Sequence, residues 1–341
     1  MNNDLNIKFI GEDLSNLFLA FLLLKKGFKV KIVKKNNLNK KKSQDKVFFI
    51  SHSTLLTLDS FNLWSQLKDN AYPIDSLSFL DMSNLIKIDF SYRDFKFNKQ
   101  HNNNIGWIIN YSYLYNLLLS EIAKFDDVFS EFNNQLNSDI KDITYNLEST
   151  LNKNINKRIF SLSSSKDNIS SIEFHASLRG YIDNRHYSIM SENGLIFLCP
   201  IYKNLFSVKW IIKKSFFKRF MRFESGFFLD NISSILPKEL KIDQIFGDLN
   251  ITTIYPKIFK RVSESDNYLI INEGSIKLFD FRLEGLNPSL SEVIYIYEQI
   301  KNININNKKT YVFLKFKFLI TKFFKLEIFI IIYQLFIVNN D

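Results

Sequence analysis

Residues 6–33 read NIKFIGEDLSNLFLAFLLLKKGFKVKIV, and this stretch decides the fold. Residues 6–10 form a short apolar run that Gly11 breaks. Residues 14–26 are helix-length and apolar almost all round, the pattern of a helix covered on every side. Gly27 stops that helix, and residues 28–33 alternate as a strand. A strand, a buried helix and a second strand in so few residues form a βαβ unit with parallel strands.

Such a unit opens a dinucleotide-binding fold. Outward from it, the Lys-rich loop 34–46 leads to a strand at 47–50 and short helices through Trp64. Residues 76–80, 85–90 and 105–109 read as strands and 111–124 as a helix. Residues 127–166 alternate weakly, with a strand at 159–162. Residues 172–181, 186–190, 195–200 and 206–212 then resemble an antiparallel sheet. Helical patterning returns at 216–228, a strand at 268–271, and helices at 290–300 and in the C-terminal segment. There is no internal repeat.

The 341 residues are 46% hydrophobic, enough for two closely packed lobes around substantial cores. Lys, Asn, Ile and Phe dominate, so single lysines and asparagines carry little signal. The net charge of +10 attracts anionic partners in general. The Lys/Asn-rich segments 39–42 and 301–309 lack interleaved aromatics, which argues against a nucleic-acid platform. One cysteine, Cys199, excludes an intrachain disulfide, and His52, His101, His175 and His186 have no metal-ligand spacing. No metal site and no Ser/His/Asp or paired-carboxylate set is expected. The reading is a cytoplasmic protein without an export signal. The longest apolar run, 328–338, is roughly half of a membrane span. It reads as an interfacial helix, or more plainly as a core helix.

Several local patterns, in order, resemble the ubiquinone-biosynthesis branch of the FAD-dependent para-hydroxybenzoate hydroxylase-like monooxygenases. They are the βαβ opening, Ser51, Asn62-Leu63-Trp64, Pro73-Ile74, and Gly106-Trp107-Ile108-Ile109-Asn110 with Leu114. Residues 194–200 with Val208 and Trp210 follow, and last comes the segment 268–293 with Gly285-Leu286-Asn287. The resemblance implies an α/β fold: a Rossmann-like FAD-binding lobe, mostly parallel, with an inserted antiparallel substrate lobe and C-terminal helices. It assigns residues 1–70, 106–166 and 263–300 to the FAD-binding lobe. Residues 71–105 and 167–262 fall to the substrate lobe, and 301–341 to a helical tail.

In such enzymes FAD carries the chemistry and the protein positions it. The resemblance puts the cofactor against Gly11, Asp13 and Asn16 of the first turn and Lys34 after the second strand. Further positions are Lys46, the pair Asn272-Glu273, and Gly285, Leu286 and Asn287 before the last helix. At six of the ten, Asp13, Asn16, Lys34, Lys46, Asn272 and Glu273, the family's residue is replaced, while Gly11 and Gly285-Leu286-Asn287 are kept. Of the three glycines that bare the backbone to a pyrophosphate only Gly11 stands, and Asp13 brings a carboxylate where phosphates belong. Asp13 reads more simply as its own helix's N-cap. Lys34 replaces an acid and has no lone pair for ribose hydroxyls. Ser163-Ser164 occupies the place of an Asp-Gly pair, and Asp280 and Leu283 replace a proline and a glycine.

Three readings stay open. The first is an FAD- and NAD(P)H-dependent hydroxylase of a polyprenylated aromatic ring, for which an apolar C-terminal helix suits a membrane-resident substrate. The second is a pseudoenzyme that keeps the fold to bind lipid or assemble with other ubiquinone-biosynthesis proteins, peripherally at the inner face of a membrane. The third is a different flavoprotein reductase that holds FAD through side chains such as Lys34 and Lys46. His175 is read as a satisfied, partly buried histidine within a strand, Trp107 and Trp210 as packing residues, and Arg179, Arg185 and Arg282 as solvated or paired.

Overall fold

The computed structural model describes residues 6–10, 12–33, 46–82, 86–94, 104–125, 128–131, 145–148, 158–161, 169–192, 194–213, 217, 225–254, 257–259, 262–263, 268–270, 276–277 and 286–301. The chain divides into two units, Met1–Ile294 and Tyr295–Asp341, and the described residues of the second, 295–301, are helical.

The opening is β1 (Asn6–Ile10), α1 (Leu14–Lys25) and β2 (Lys29–Val33), with β1 and β2 parallel. Asp13 caps α1 at its start. At its end the Gly27 N–H donates to Leu24 O at 2.8 Å and the Phe28 N–H to Leu23 O at 3.1 Å. These two bonds form a Schellman closure, and Gly27 supplies its positive φ of 83°. Leu14 through Leu24 are all buried, as an apolar surface on every side requires. The covering comes from β1, β2 and a later helix, and from Phe61, whose ring stands edge-on to Phe18 and Phe21 at 6.1 and 6.5 Å.

Next come β3 (Val47–Ser51), α2 (His52–Ser60), α3 (Trp64–Leu67), β4 (Ala71–Ile74), β5 (Ser76–Asp81), β6 (Ile86–Ser91), β7 (Gly106–Asn110) and α4 (Tyr111–Ile122). Strands β3, β7 and β4 make a small antiparallel sheet in that order, so Pro73 lies on an edge strand, where its missing N–H costs least. Gly106 is required for close approach, because a Cβ there would overlap the Phe49 ring.

Short strands follow: β8 (Val128–Glu131), β9 (Tyr145–Glu148) and β10 (Arg158–Ser161). The long strands β11 (Ile169–Arg179), β12 (Arg185–Ser191), β13 (Gly194–Tyr202) and β14 (Leu205–Lys213) come next, then α5 (Ser225–Ile235) and β15 (Lys241–Ile254). The described chain closes with β16 (Lys257–Phe259), β17 (Val262–Ser263), β18 (Tyr268–Ile270), β19 (Ile276–Lys277) and α6 (Leu286–Lys301).

Two large sheets organise the molecule. The first runs β17-β18-β9-β1-β2-β8 and is parallel from β18 to β8. The second runs β15-β11-β14-β13-β12-β5-β6 and is antiparallel except where β12 meets β5. One face of the second sheet presents Phe174, Ile189, Leu198, Val208 and Trp210 to Phe228, Ile232 and Ile235 of α5. Its other face puts Cys199 among Val47, Phe49, Ile74 and Ile108 of the small sheet. Strands β10, β16 and β19 form a further three-stranded sheet. The expected α/β class is the one observed.

Of the helix read at 216–228, residues 217 and 225–228 are helical and the others lie outside the described residues; the described helix runs over Ser225–Ile235, and Phe228, Ile232 and Ile235 turn toward the core. Two observed strands have no counterpart in the sequence reading. Strand β15 went unread because most of it is exposed and its pattern is interrupted at Gly247, whose φ is 71°, where the pairing with β11 shifts register. Strand β4 went unread because its four residues include Pro73.

Candidate functional site

In an open parallel sheet, ligands bind beyond the carboxyl ends of the strands, where the order of connections reverses. Here the reversal lies between β1 and β9: β2 and β8 follow on one side, β9 and β18 on the other. Ile10, Glu148 and Ile270 are level in the register, so the chain leaves β1, β9 and β18 at one edge of the sheet. The turn into α1 therefore begins on the same edge as the carboxyl ends of β9 and β18.

At the head of α1, Asp13 has an extended backbone, φ −79° and ψ 166°. Its Oδ1 accepts the backbone N–H of Ser15 at 3.1 Å and that of Asn16 at 3.2 Å. Its carbonyl accepts the Leu17 N–H at 2.9 Å. This is an N-cap: a carboxylate satisfies two amides that the helix itself leaves open, at the positive end of the helix dipole. The side chains of Ser15 and Asn16 are fully buried, and the Ser15 Oγ has no hydrogen-bond partner among the described residues.

Beside the turn stands α4. Asn110 caps it, accepting the Ser112 N–H at 2.9 Å. The Tyr115 hydroxyl donates to Glu12 Oε2 at 3.5 Å, and the Tyr111 ring stacks on Tyr115 with centroids 5.6 Å apart. Burial first, then the negative charges of Glu12 and Asp13, push the Tyr115 phenol up to about 12. Lys46 is exposed, and its carbonyl accepts the Tyr111 N–H at 2.7 Å. Through α4 the structure thus ties Lys46, Glu12 and Asp13 into one neighbourhood. Sequence reading passed over Tyr111 and Tyr115; their i, i+4 spacing behind a capping asparagine was the signal that places both on one helix face.

Of the remaining positions, Gly11, Lys34, Asn272, Glu273 and Gly285 lie outside the described residues, as do Ser163, Ser164, Asp280, Leu283, Arg282 and the tail 302–341. Leu286 and Asn287 begin α6.

These residues fit a flavin dinucleotide poorly. A pyrophosphate at this position needs the first amides of α1 for itself, and Asp13 already engages those of Ser15 and Asn16. Glu12 and Asp13 also place two carboxylates at the turn, where a pyrophosphate meets like charge.

The other singled-out groups are engaged or packed. Trp107 is buried against Trp64 at 5.3 Å, and Trp210 is buried against Phe228 at 6.1 Å. Arg179 pairs with Asp243. Arg185 reaches the Ser76 and Ser78 hydroxyls at 3.2 Å each and Asp89 at 3.4 Å. Lys209, buried on the second sheet, pairs with Glu173 at 3.5 Å. Among the described residues no cluster of histidine, cysteine and acidic groups could hold a metal, and no helix is long and apolar enough to cross a membrane.

No family model and no curated protein matches the sequence. Solved structures do match. The flavin-dependent brominase Bmp2 superposes with a TM-score of 0.69 at 11% identity, covering 91% of this chain and 82% of that one. The flavin-dependent halogenase CmlS gives 0.68 at 13% identity over 88% of this chain, which spans 58% of the halogenase's length. PqsL, a probable FAD-dependent monooxygenase from Pseudomonas aeruginosa, gives 0.64 at 12% identity, covering 86% and 85%. The fold is that of the FAD-binding monooxygenases. At such identities the likeness extends to the fold alone.

Proposed function

We propose that this chain is a pseudoenzyme of the flavin-monooxygenase fold, one that uses the scaffold for binding or assembly and does not take up FAD by the usual route. The observation that carries this reading is the Asp13 carboxylate on the Ser15 and Asn16 amides, which puts a fixed anion where the cofactor's phosphates would dock. The partner class is a polyprenylated aromatic lipid or a hydroxylase of ubiquinone biosynthesis. The sequence resemblance and the net charge of +10 support it, with peripheral attraction to anionic headgroups as a further part of the proposal.

The second reading is an FAD- and NAD(P)H-dependent hydroxylase of such a ring, favoured by flavin enzymes sharing the fold across most of the chain. Flavin content separates the two. On the first reading the purified protein is colourless, releases no flavin on denaturation and leaves added FAD fluorescence unquenched. Asp13→Gly with Asn16→Gly and Lys34→Glu then gains FAD binding. A yellow wild-type protein whose flavin is released on unfolding overturns the first reading.

A further inference from the structure

Strand β6 ends the strand order of the second sheet, and among the described residues no strand pairs with its outer side. Its side chains alternate. Ile86, Ile88 and Phe90 project on one face at 51%, 48% and 38% exposure, and Phe79 of β5, 44% exposed, stands edge-on to Phe90. Lys87 and Asp89 project on the other face, 3.3 Å apart.

One bond fixes the direction of the backbone groups. The Tyr92 N–H donates to Asp75 O at 2.9 Å, continuing the register in which Ser91 faces Ser76. In an antiparallel pair such bonding alternates, so Ile86, Ile88 and Phe90 turn their N–H and C=O toward β5, and Lys87, Asp89 and Ser91 turn theirs outward. The Ser91 N–H is held by Asp94 Oδ2 at 2.6 Å. Lys87 and Asp89 therefore present backbone donors and acceptors away from the sheet.

We propose that β6 is a homodimerisation edge, on which a second copy of this chain pairs antiparallel about a two-fold axis through Ile88. The segment Ile86-Lys87-Ile88-Asp89-Phe90 is complementary to itself in that register. Each Lys87 meets the other copy's Asp89, each Ile86 meets Phe90, and Ile88 meets Ile88. Moving the axis one residue either way sets Lys87 against Lys87 or Asp89 against Asp89, which like charge disfavours. A lysine on a sheet edge ordinarily guards against pairing. Here it faces an aspartate, so the guard selects one register. The pairing also sets the two apolar rows side by side on one face, where the two Ile88 side chains and each Ile86–Phe90 pair shield one another laterally, and it closes as an isologous dimer.

The full chain and three variants test this. Sedimentation velocity across a concentration series is expected to show a monomer–dimer equilibrium. Lys87→Glu, which sets acid against acid twice, is expected to raise the dissociation constant by about tenfold or more. Ile88→Cys places two thiols across the axis at a non-hydrogen-bonded pair, with Cα atoms about 4.5 Å apart, within disulfide reach. Ile86→Cys places them about 14 Å apart at strand spacing, out of reach. The native Cys199 is buried, so mild oxidation reports the introduced thiol. A covalent dimer from Ile88→Cys and none from Ile86→Cys is the expected result. A monomer up to high-micromolar concentration, equal cross-linking at both positions, an unchanged constant for Lys87→Glu, or a monomer that instead floats with anionic vesicles through Ile88 each overturns the proposal.

Discussion

The Tyr115 hydroxyl donates to Glu12 Oε2 at 3.5 Å, joining the fourth helix to the turn that precedes the first. The phenol, raised to about 12 by burial and then by Glu12 and Asp13, stays neutral in the folded chain to higher pH than an ordinary tyrosine at 10.0. The unfolded chain releases its proton first as pH rises, so the contribution to stability is complete below pH 10 and is lost as pH climbs toward 12. Tyr115→Phe is expected to flatten the fall in melting temperature across that window. Glu12→Gln should bring the phenol's absorbance titration down toward 10. An unchanged titration in Glu12→Gln would mean that burial alone accounts for the shift.

Removing the Asp13 carboxylate separates capping from backbone freedom. Asp13→Ala is expected to cost about 1 kcal/mol of unfolding free energy, and Asp13→Gly only a few tenths, because glycine is itself tolerated at an N-cap. Chemical denaturation of the two variants side by side measures this. Equal losses would contradict the cap.

Gly27 has open space around the position of a Cβ and a φ of 83°, so any penalty for a side chain there is conformational. Gly27→Ala is expected to destabilise by about 1 to 2 kcal/mol with no change elsewhere in the core. Gly27→Asn should recover part of that loss, since asparagine accepts the left-handed region more readily.

His186 titrates near 4 because burial disfavours its charged form. The unfolded chain, with histidine at 6.5, binds the proton first as pH falls, so stability is complete above 6.5 and declines progressively toward 4. His186→Gln should reduce the slope of melting temperature against pH in that interval. An unaltered slope assigns the acid sensitivity to other groups.

The opening βαβ unit was legible because period and punctuation agree: an apolar helix with no polar stripe, an aspartate before it and Gly27 after it. The core strands of the second sheet were legible for the same reason, since alternate residues such as Val208, Trp210 and Ile212 turn to one interior. Strand β15 was not, because a mostly exposed strand carries little hydrophobic alternation. The Asp13 cap was readable from residue type and position. The Tyr115–Glu12 contact was not, because it joins residues 103 positions apart whose meeting depends on how α4 packs against α1. The network around Arg185 escaped for a similar reason: Ser76, Ser78 and Asp89 reach it from strands that adjoin β12 only in the folded sheet.

The level placement of Ile10, Glu148 and Ile270 has a consequence for biosynthesis. The first strand leaves a ribosome well before its partners on one side, since the adjacent strand arrives only with Tyr145 and the next only with Tyr268. At about 5–20 residues per second the helix Leu14–Lys25, apolar on every side, waits many seconds before that half of its sheet exists. Nascent chains arrested before residue 145 should therefore engage holding chaperones through Leu14–Lys25, and release them once the fourth and fifth parallel strands, Tyr145–Glu148 and Tyr268–Ile270, have emerged.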